Sequence, residues 1–128
     1  MIFRLFFGNK NGNLTTLNEH EQCFDFEIVG ESFYQDNLSK IVGGKTFDGH
    51  DEQVEAVLYP ERNNPYDKNA VAVKIQNRQV GHLSKADASI YRKHFKTKKK
   101  YVEAIIVGGW DRKNGDEGHF GVKLDFSL

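Results

Sequence analysis

The sequence predicts one β-rich α+β domain, and three observations predict it. Apolar and polar residues alternate with a period of two in several short stretches, two other stretches carry a helical period, and the segments between them are rich in Gly, Asn, Asp or Pro. At 128 residues and 38% hydrophobic, the chain can bury a single core but has no room for a motor beside it.

The elements follow in chain order. Phe3, Leu5 and Phe7 suggest a strand within residues 1–22, an N-terminal extension that adds a strand or hairpin to the domain at 23–128. Phe24, Phe26 and Ile28 alternate as a half-buried strand does, and Cys23, adjoining them, is expected to be buried and inert. Ser32 followed by Gln35 resembles a capping box. Tyr34, Leu38, Ile41 and Val42 then fall at helical spacing before a Gly43-Gly44 stop. Residues 53–59, the alternating Val71/Val73/Ile75, and residues 79–83 read as three further strands. Ser84 with Asp87 repeats the cap signature, and Ala88, Tyr91 and Phe95 give a second helix its apolar stripe. Val102/Ala104/Ile106 and Phe120/Val122/Leu124/Phe126 complete the set. About six or seven strands with two short helices are most simply a small, partly open β-barrel of the OB type.

Charge excludes some functions and leaves others. With 18 Lys+Arg against 18 Asp+Glu the chain is no polycation. The balance is a cancellation, because residues 1–60 carry 4 basic and 10 acidic side chains and residues 61–128 carry 14 and 8. Between residues 85 and 100, Lys85, Arg92, Lys93, Lys96, Lys98, Lys99 and Lys100 stand against Asp87 alone. That excess is either a solvated helix end or a patch that attracts phosphates.

Other features point away from membranes, metals and catalysis. Cys23 is the single cysteine, which fits a reducing cytoplasm. Arg4 interrupts the apolar start before it reaches the length of a signal core, and no stretch approaches a membrane span. Gly43-Gly44-Lys45-Thr46 ends like a phosphate loop, but Ser39 occupies the required first glycine, so it reads as a helix terminator. The five histidines share no metal spacing with Cys23. Asp111, Asp116, Glu117 and His119 are dense enough for hard-metal or general-base chemistry, yet their Gly/Asn-rich setting reads better as a solvated turn. No cofactor is expected.

The segment Glu61-Arg-Asn-Asn-Pro-Tyr-Asp-Lys-Asn-Ala70 is the most unusual. Pro65 restricts Asn64 to an extended conformation and stiffens the loop. Held together, Tyr66, two amides and Asp67 can stack on a base and accept a hydroxyl hydrogen bond. The same residues equally make an Asx-type turn with Tyr66 folded onto the core.

Three stretches together resemble a HIRAN domain: Val29-Gly-Glu-Ser-Phe-Tyr34, Asn63-Asn-Pro-Tyr-Asp-Lys-Asn-Ala-Val-Ala-Val73 and Val80-Gly-His-Leu-Ser84. Gly108-Gly-Trp-Asp111 with Gly118-His-Phe-Gly-Val122 is similar to the last hairpin of stand-alone microbial versions. The resemblance covers about residues 24–127 and implies an OB-like barrel with two helices. In replication-fork remodellers that domain is fused to a SWI2/SNF2-type translocase and binds the 3′ end of single-stranded DNA.

Carried over by motif position, the resemblance implies that Phe33 and Tyr66 sandwich the terminal base, Asp67 accepts its 3′-hydroxyl and Asn64 holds the end nucleotide. It further implies that His82 and Lys85 contact phosphates and that Phe120 adds a stacking face. Ser32 and Phe33 depart from the remodeller pattern, which has a basic residue and a tyrosine there, so one cation and one phenol hydroxyl are missing.

The expectation is a non-catalytic module for single-stranded DNA with a free 3′ end, in DNA repair or replication-fork processing. A helicase or nuclease is the expected protein partner. Two alternatives are a protein-interaction module on the same barrel and a metal-dependent phosphodiesterase using Asp67, Asp111, Asp116, Glu117 and His119.

Overall fold

The computed structural model describes residues 22–128. The strand expected at Phe3, Leu5 and Phe7, with the extension up to residue 21, lies outside the described residues. Six strands follow: β1 (Phe26–Glu27), β2 (His50–Pro60), β3 (Val71–Ile75), β4 (Arg78–His82), β5 (Lys100–Gly108) and β6 (Phe120–Asp125). A 3-10 turn at Glu31–Phe33 leads into α1 (Gln35–Val42), and α2 (Lys85–Phe95) joins β4 to β5.

All pairings are antiparallel, in the order β1-β6-β5-β2-β3-β4. The long β2 makes the curvature possible. Its residues from His50 to Leu58 pair with β5, while Val57 to Pro60 pair with β3. The two ends of the sheet then meet. Val29, just past β1, and His82, at the end of β4, exchange backbone hydrogen bonds of 2.9 Å in each direction. This tie gives the small, partly open OB-like barrel that the alternation predicts.

Leu38, Leu58, Ile75, Tyr91, Ile106 and Leu124 are fully buried inside it. Tyr91 brings a hydroxyl into this core and satisfies it by donating to the Lys98 carbonyl at 2.7 Å. Burial pushes its phenol up to about 12.

Local signals explain both helices, with one correction. Ser84 caps α2 by accepting the Asp87 amide at 3.1 Å. Gly43 ends α1 in the left-handed region at φ 88°, where its amide and that of Gly44 both reach the Ser39 carbonyl. The Ser32–Gln35 capping box does not form. Tyr34 is the N-cap and supplies no side-chain bond. Gln35 instead binds β6, its Oε1 accepting the Phe120 amide at 2.8 Å and its Nε2 donating to the Phe120 carbonyl at 3.0 Å. A tertiary partner with an unpaired backbone outcompetes the local cap. Cys23 also differs from expectation, being exposed and ahead of β1.

Candidate nucleic-acid interface

Two segments carry the most exposed aromatic rings among the described residues, Phe33 and Tyr66. The first runs from Val29 to Phe33. Val29 is tied to β4, and Gly81 beneath it has no room for a Cβ, which would lie 2.7 Å from the Val29 carbonyl oxygen. Gly30 then turns the chain at φ 85°. Glu31 accepts the Val122 amide at 3.3 Å and the Phe33 amide closes onto Gly30 at 3.0 Å. The outcome is a fixed backbone with Phe33 84% exposed at its end.

The second segment is the loop from Glu61 to Asn69, between β2 and β3. Its stems are joined by the Glu61 amide on the Ala70 carbonyl at 2.9 Å. Arg92 of α2 clamps both, its Nη2 donating to the Glu61 carbonyl at 2.6 Å and to the Ala70 carbonyl at 3.2 Å. Inside the loop, Asn64 Oδ1 accepts the amides of Tyr66 (2.8 Å) and Asp67 (3.1 Å), while its Nδ2 donates to Glu61 Oε1 at 2.7 Å. Asp67 Oδ1 accepts the Asn69 amide at 2.9 Å. The loop therefore combines parts of both expected arrangements. The Asx turn forms, but Tyr66 does not fold onto the core and is 88% exposed.

A polar chain links the two segments. Glu61 Oε2 lies 3.1 Å from His82 Nε2, and His82 is the backbone partner of Val29. Gln79 Nε2 also approaches His82 Nε2 at 3.2 Å. Phe33, Tyr66 and Asp67 are thus carried by segments that meet at His82 on the β4 edge. Lys85 is exposed at the first position of α2.

Besides His82, which Glu61 and Gln79 engage, Asn64 and Phe120 also have other partners than those expected. Asn64 spends both amide atoms within the loop, which makes it the residue that positions Tyr66 and Asp67. Phe120 is 3% exposed and packs in the core beside the His50 ring, 5.4 Å away between centroids. Sequence reasoning did not single out Glu61, Gln79 or Arg92 for this site. Only the position of Glu61 directly before the Arg-Asn-Asn-Pro stretch hints at its role.

The acidic hairpin is engaged with its own surroundings. Asp116 accepts Trp110 Nε1 at 2.9 Å and Arg112 Nη1 at 2.8 Å, and these two bonds, Trp110's foremost, hold its carboxyl below the usual carboxylate range. Glu117 pairs with Lys45 at 2.9 Å, and Asp111 accepts the Lys113 amide at 2.9 Å. Among the described residues, no group of three or more His, Cys, Asp or Glu is placed to hold a metal ion. Nor is any helix among them long and apolar enough to cross a membrane.

Comparison with known proteins agrees with the sequence motifs. The family model for the HIRAN domain matches residues 21–116. No curated protein and no solved structure matches the chain.

Proposed function

The chain belongs to the HIRAN domain family, whose members are nucleic-acid-binding modules, and from that premise we propose that it holds the 3′-hydroxyl end of single-stranded DNA. The observation that carries this reading is the pair of exposed rings, Phe33 and Tyr66, on two rigid segments that share His82. Rings 84% and 88% exposed offer faces on which a base can stack. Stacking a base on one contributes about 1–3 kcal/mol and accepts any sequence.

Asp67 supplies the choice of an end. One of its oxygens serves the loop, and a carboxylate keeps further acceptor sites for a terminal hydroxyl. An internal nucleotide would bring a phosphodiester there, and the like charges repel. Lys85 and His82 lie on the adjoining step and suit the backbone phosphates. Residues 23–128 form the binding domain in this reading, with 1–22 an added element. The module works without catalysis in the cytoplasm, in DNA repair or fork processing beside a helicase or nuclease.

Asp67→Asn tests the role of the charge, since the amide keeps an oxygen to accept the Asn69 amide. In a binding titration the variant should lose its preference for a 3′-hydroxyl strand over a 3′-phosphate strand. A preference equal to that of the unaltered protein would refute the assignment.

A further inference from the structure

A cleft of about 520 Å³ opens between the same loop, α2 and the turn before β5; of the residues in the end-binding reading only Asn64 lines it, and the cleft's basic side chains are not used there. Its walls carry Arg62 and Lys68 from the loop, Arg92 from α2 and Lys99 from the turn before β5, with the ring of Tyr59 between them. Glu61 also lines it, but both its carboxylate oxygens are engaged by Asn64 and His82. The cleft is therefore a strongly cationic hollow next to one aromatic ring. Lys74 and Lys99 hold their ammonium groups 4.1 and 5.5 Å from the centre of that ring, which is 39% exposed. Arg92 adds its own guanidinium charge to the cleft. Its Nη2 clamps the loop, while its Nε is buried with no acceptor among the described residues.

We propose that this cleft is a second subsite, which takes the phosphates of the strand on the 5′ side of the bound end. A volume of about 520 Å³ lies within the range of small-ligand sites and suits a nucleotide unit better than a lone ion. The loop then has two tasks, with Tyr66 and Asp67 reading the end and Arg62 and Lys68 guiding the strand away from it. This also gives a use to Arg92 and Lys99, part of the basic excess between residues 85 and 100. The inference rests on the end-binding reading for the strand's direction, but not for the presence of an anion site.

The test compares 3′-hydroxyl oligonucleotides of about 4 and about 12 nucleotides, lengths that bracket the span one such barrel covers. Each is titrated at two salt concentrations against the unaltered protein and the Arg62→Ala/Lys99→Ala variant. Both substituted side chains are exposed and outside the core. The unaltered protein should bind the longer strand more tightly. In the variant that gain should vanish, and the slope of log K against log salt for the longer strand should shrink by about 1.4, the value for two phosphate contacts on a single strand.

Unchanged length and salt dependence in the variant would overturn the cleft as a DNA subsite. So would a cleft-dependent affinity for an acidic peptide with no length effect for DNA. If the unaltered protein binds the longer strand with a 3′-phosphate as tightly as with a 3′-hydroxyl, with the length effect intact, the end-binding reading falls and the anion site stands.

Discussion

Glu61 Oε2 sits 3.1 Å from His82 Nε2, and this contact joins the loop that displays Tyr66 and Asp67 to the edge strand that anchors Phe33. The other oxygen of Glu61 receives Asn64 at 2.7 Å, so one carboxylate braces the whole arrangement. Glu61→Ala should lower stability by about 1–3 kcal/mol, because two half-buried partners lose an acceptor. Urea denaturation reads that loss. Amide exchange should speed up in residues 62–69 well before it does in β3, and equal protection in both would show that the brace is dispensable.

Asn64→Asp carries a sharper consequence. The substitution keeps the oxygen that accepts the Tyr66 and Asp67 amides but replaces the donor to Glu61 with a second carboxylate oxygen. Two carboxylates in that position repel at neutral pH. DNA affinity and thermal stability should both fall, and both should recover in part when Glu61→Gln is added. No recovery in the double variant would place the effect elsewhere.

Phe33→Ala and Tyr66→Ala separate binding from folding. At 84% and 88% exposure neither ring supports the core, so melting temperature should hardly change. Affinity for single-stranded DNA should fall by about 1–3 kcal/mol in each, the contribution of one stacked base. If the pair encloses one base, the double variant loses less than the sum of the two. Unaltered binding in both single variants would contradict the role of the rings.

Gly109 should tolerate no side chain. Its φ is 70°, and a Cβ there overlaps the buried ring of Phe120. Gly109→Ala combines backbone strain with overpacking and should destabilise the domain by about 2–5 kcal/mol. A denaturation midpoint within error of the unaltered protein would be the contrary result.

Alkaline stability should depend on Tyr91. Its phenol ionises at about 12 in the folded chain, against 10.0 as the ordinary value, because burial disfavours the charged form. Above pH 10 the unfolded chain releases this proton first. The contribution is therefore complete below pH 10 and is lost as pH rises towards 12. Tyr91→Phe should cost about 1 kcal/mol at neutral pH through the lost bond to Lys98, and should show a shallower decline above pH 10. Parallel declines in the two proteins would dissociate Tyr91 from the effect.

Much of this arrangement is legible in the sequence where a local rule governs. Ser84 and Asp87 form the cap their spacing predicts, Gly43 ends its helix, and the alternation in β3, β5 and β6 puts Val73, Ile106 and Leu124 inside. Phe120 shows two signals in competition. Its place in the alternating run Phe120/Val122/Leu124 points inward, the family resemblance points outward, and in the structure the ring is buried.

What the sequence hides is long-range and polar. Gln35 abandons a local cap for the Phe120 backbone, 85 residues away. Folding alone brings Arg92 to the loop and the loop's Glu61 to His82, and no periodicity marks a side chain whose partner is a distant carbonyl or imidazole. The start of β2 is similar. His50 to Glu52 lie beyond the expected strand because Asp51 and Glu52 are exposed and are held by backbone pairing with β5, which needs no apolar alternation.

End recognition is best tested by titrating the unaltered protein with one single-stranded DNA sequence in three forms: a 3′-hydroxyl, a 3′-phosphate, and a 5′-phosphate with a free 3′-hydroxyl. With Asp67 accepting the terminal hydroxyl, the first and third should bind alike and the 3′-phosphate strand should bind at least about tenfold more weakly, a difference of about 1.4 kcal/mol. Equal affinity for all three would contradict it.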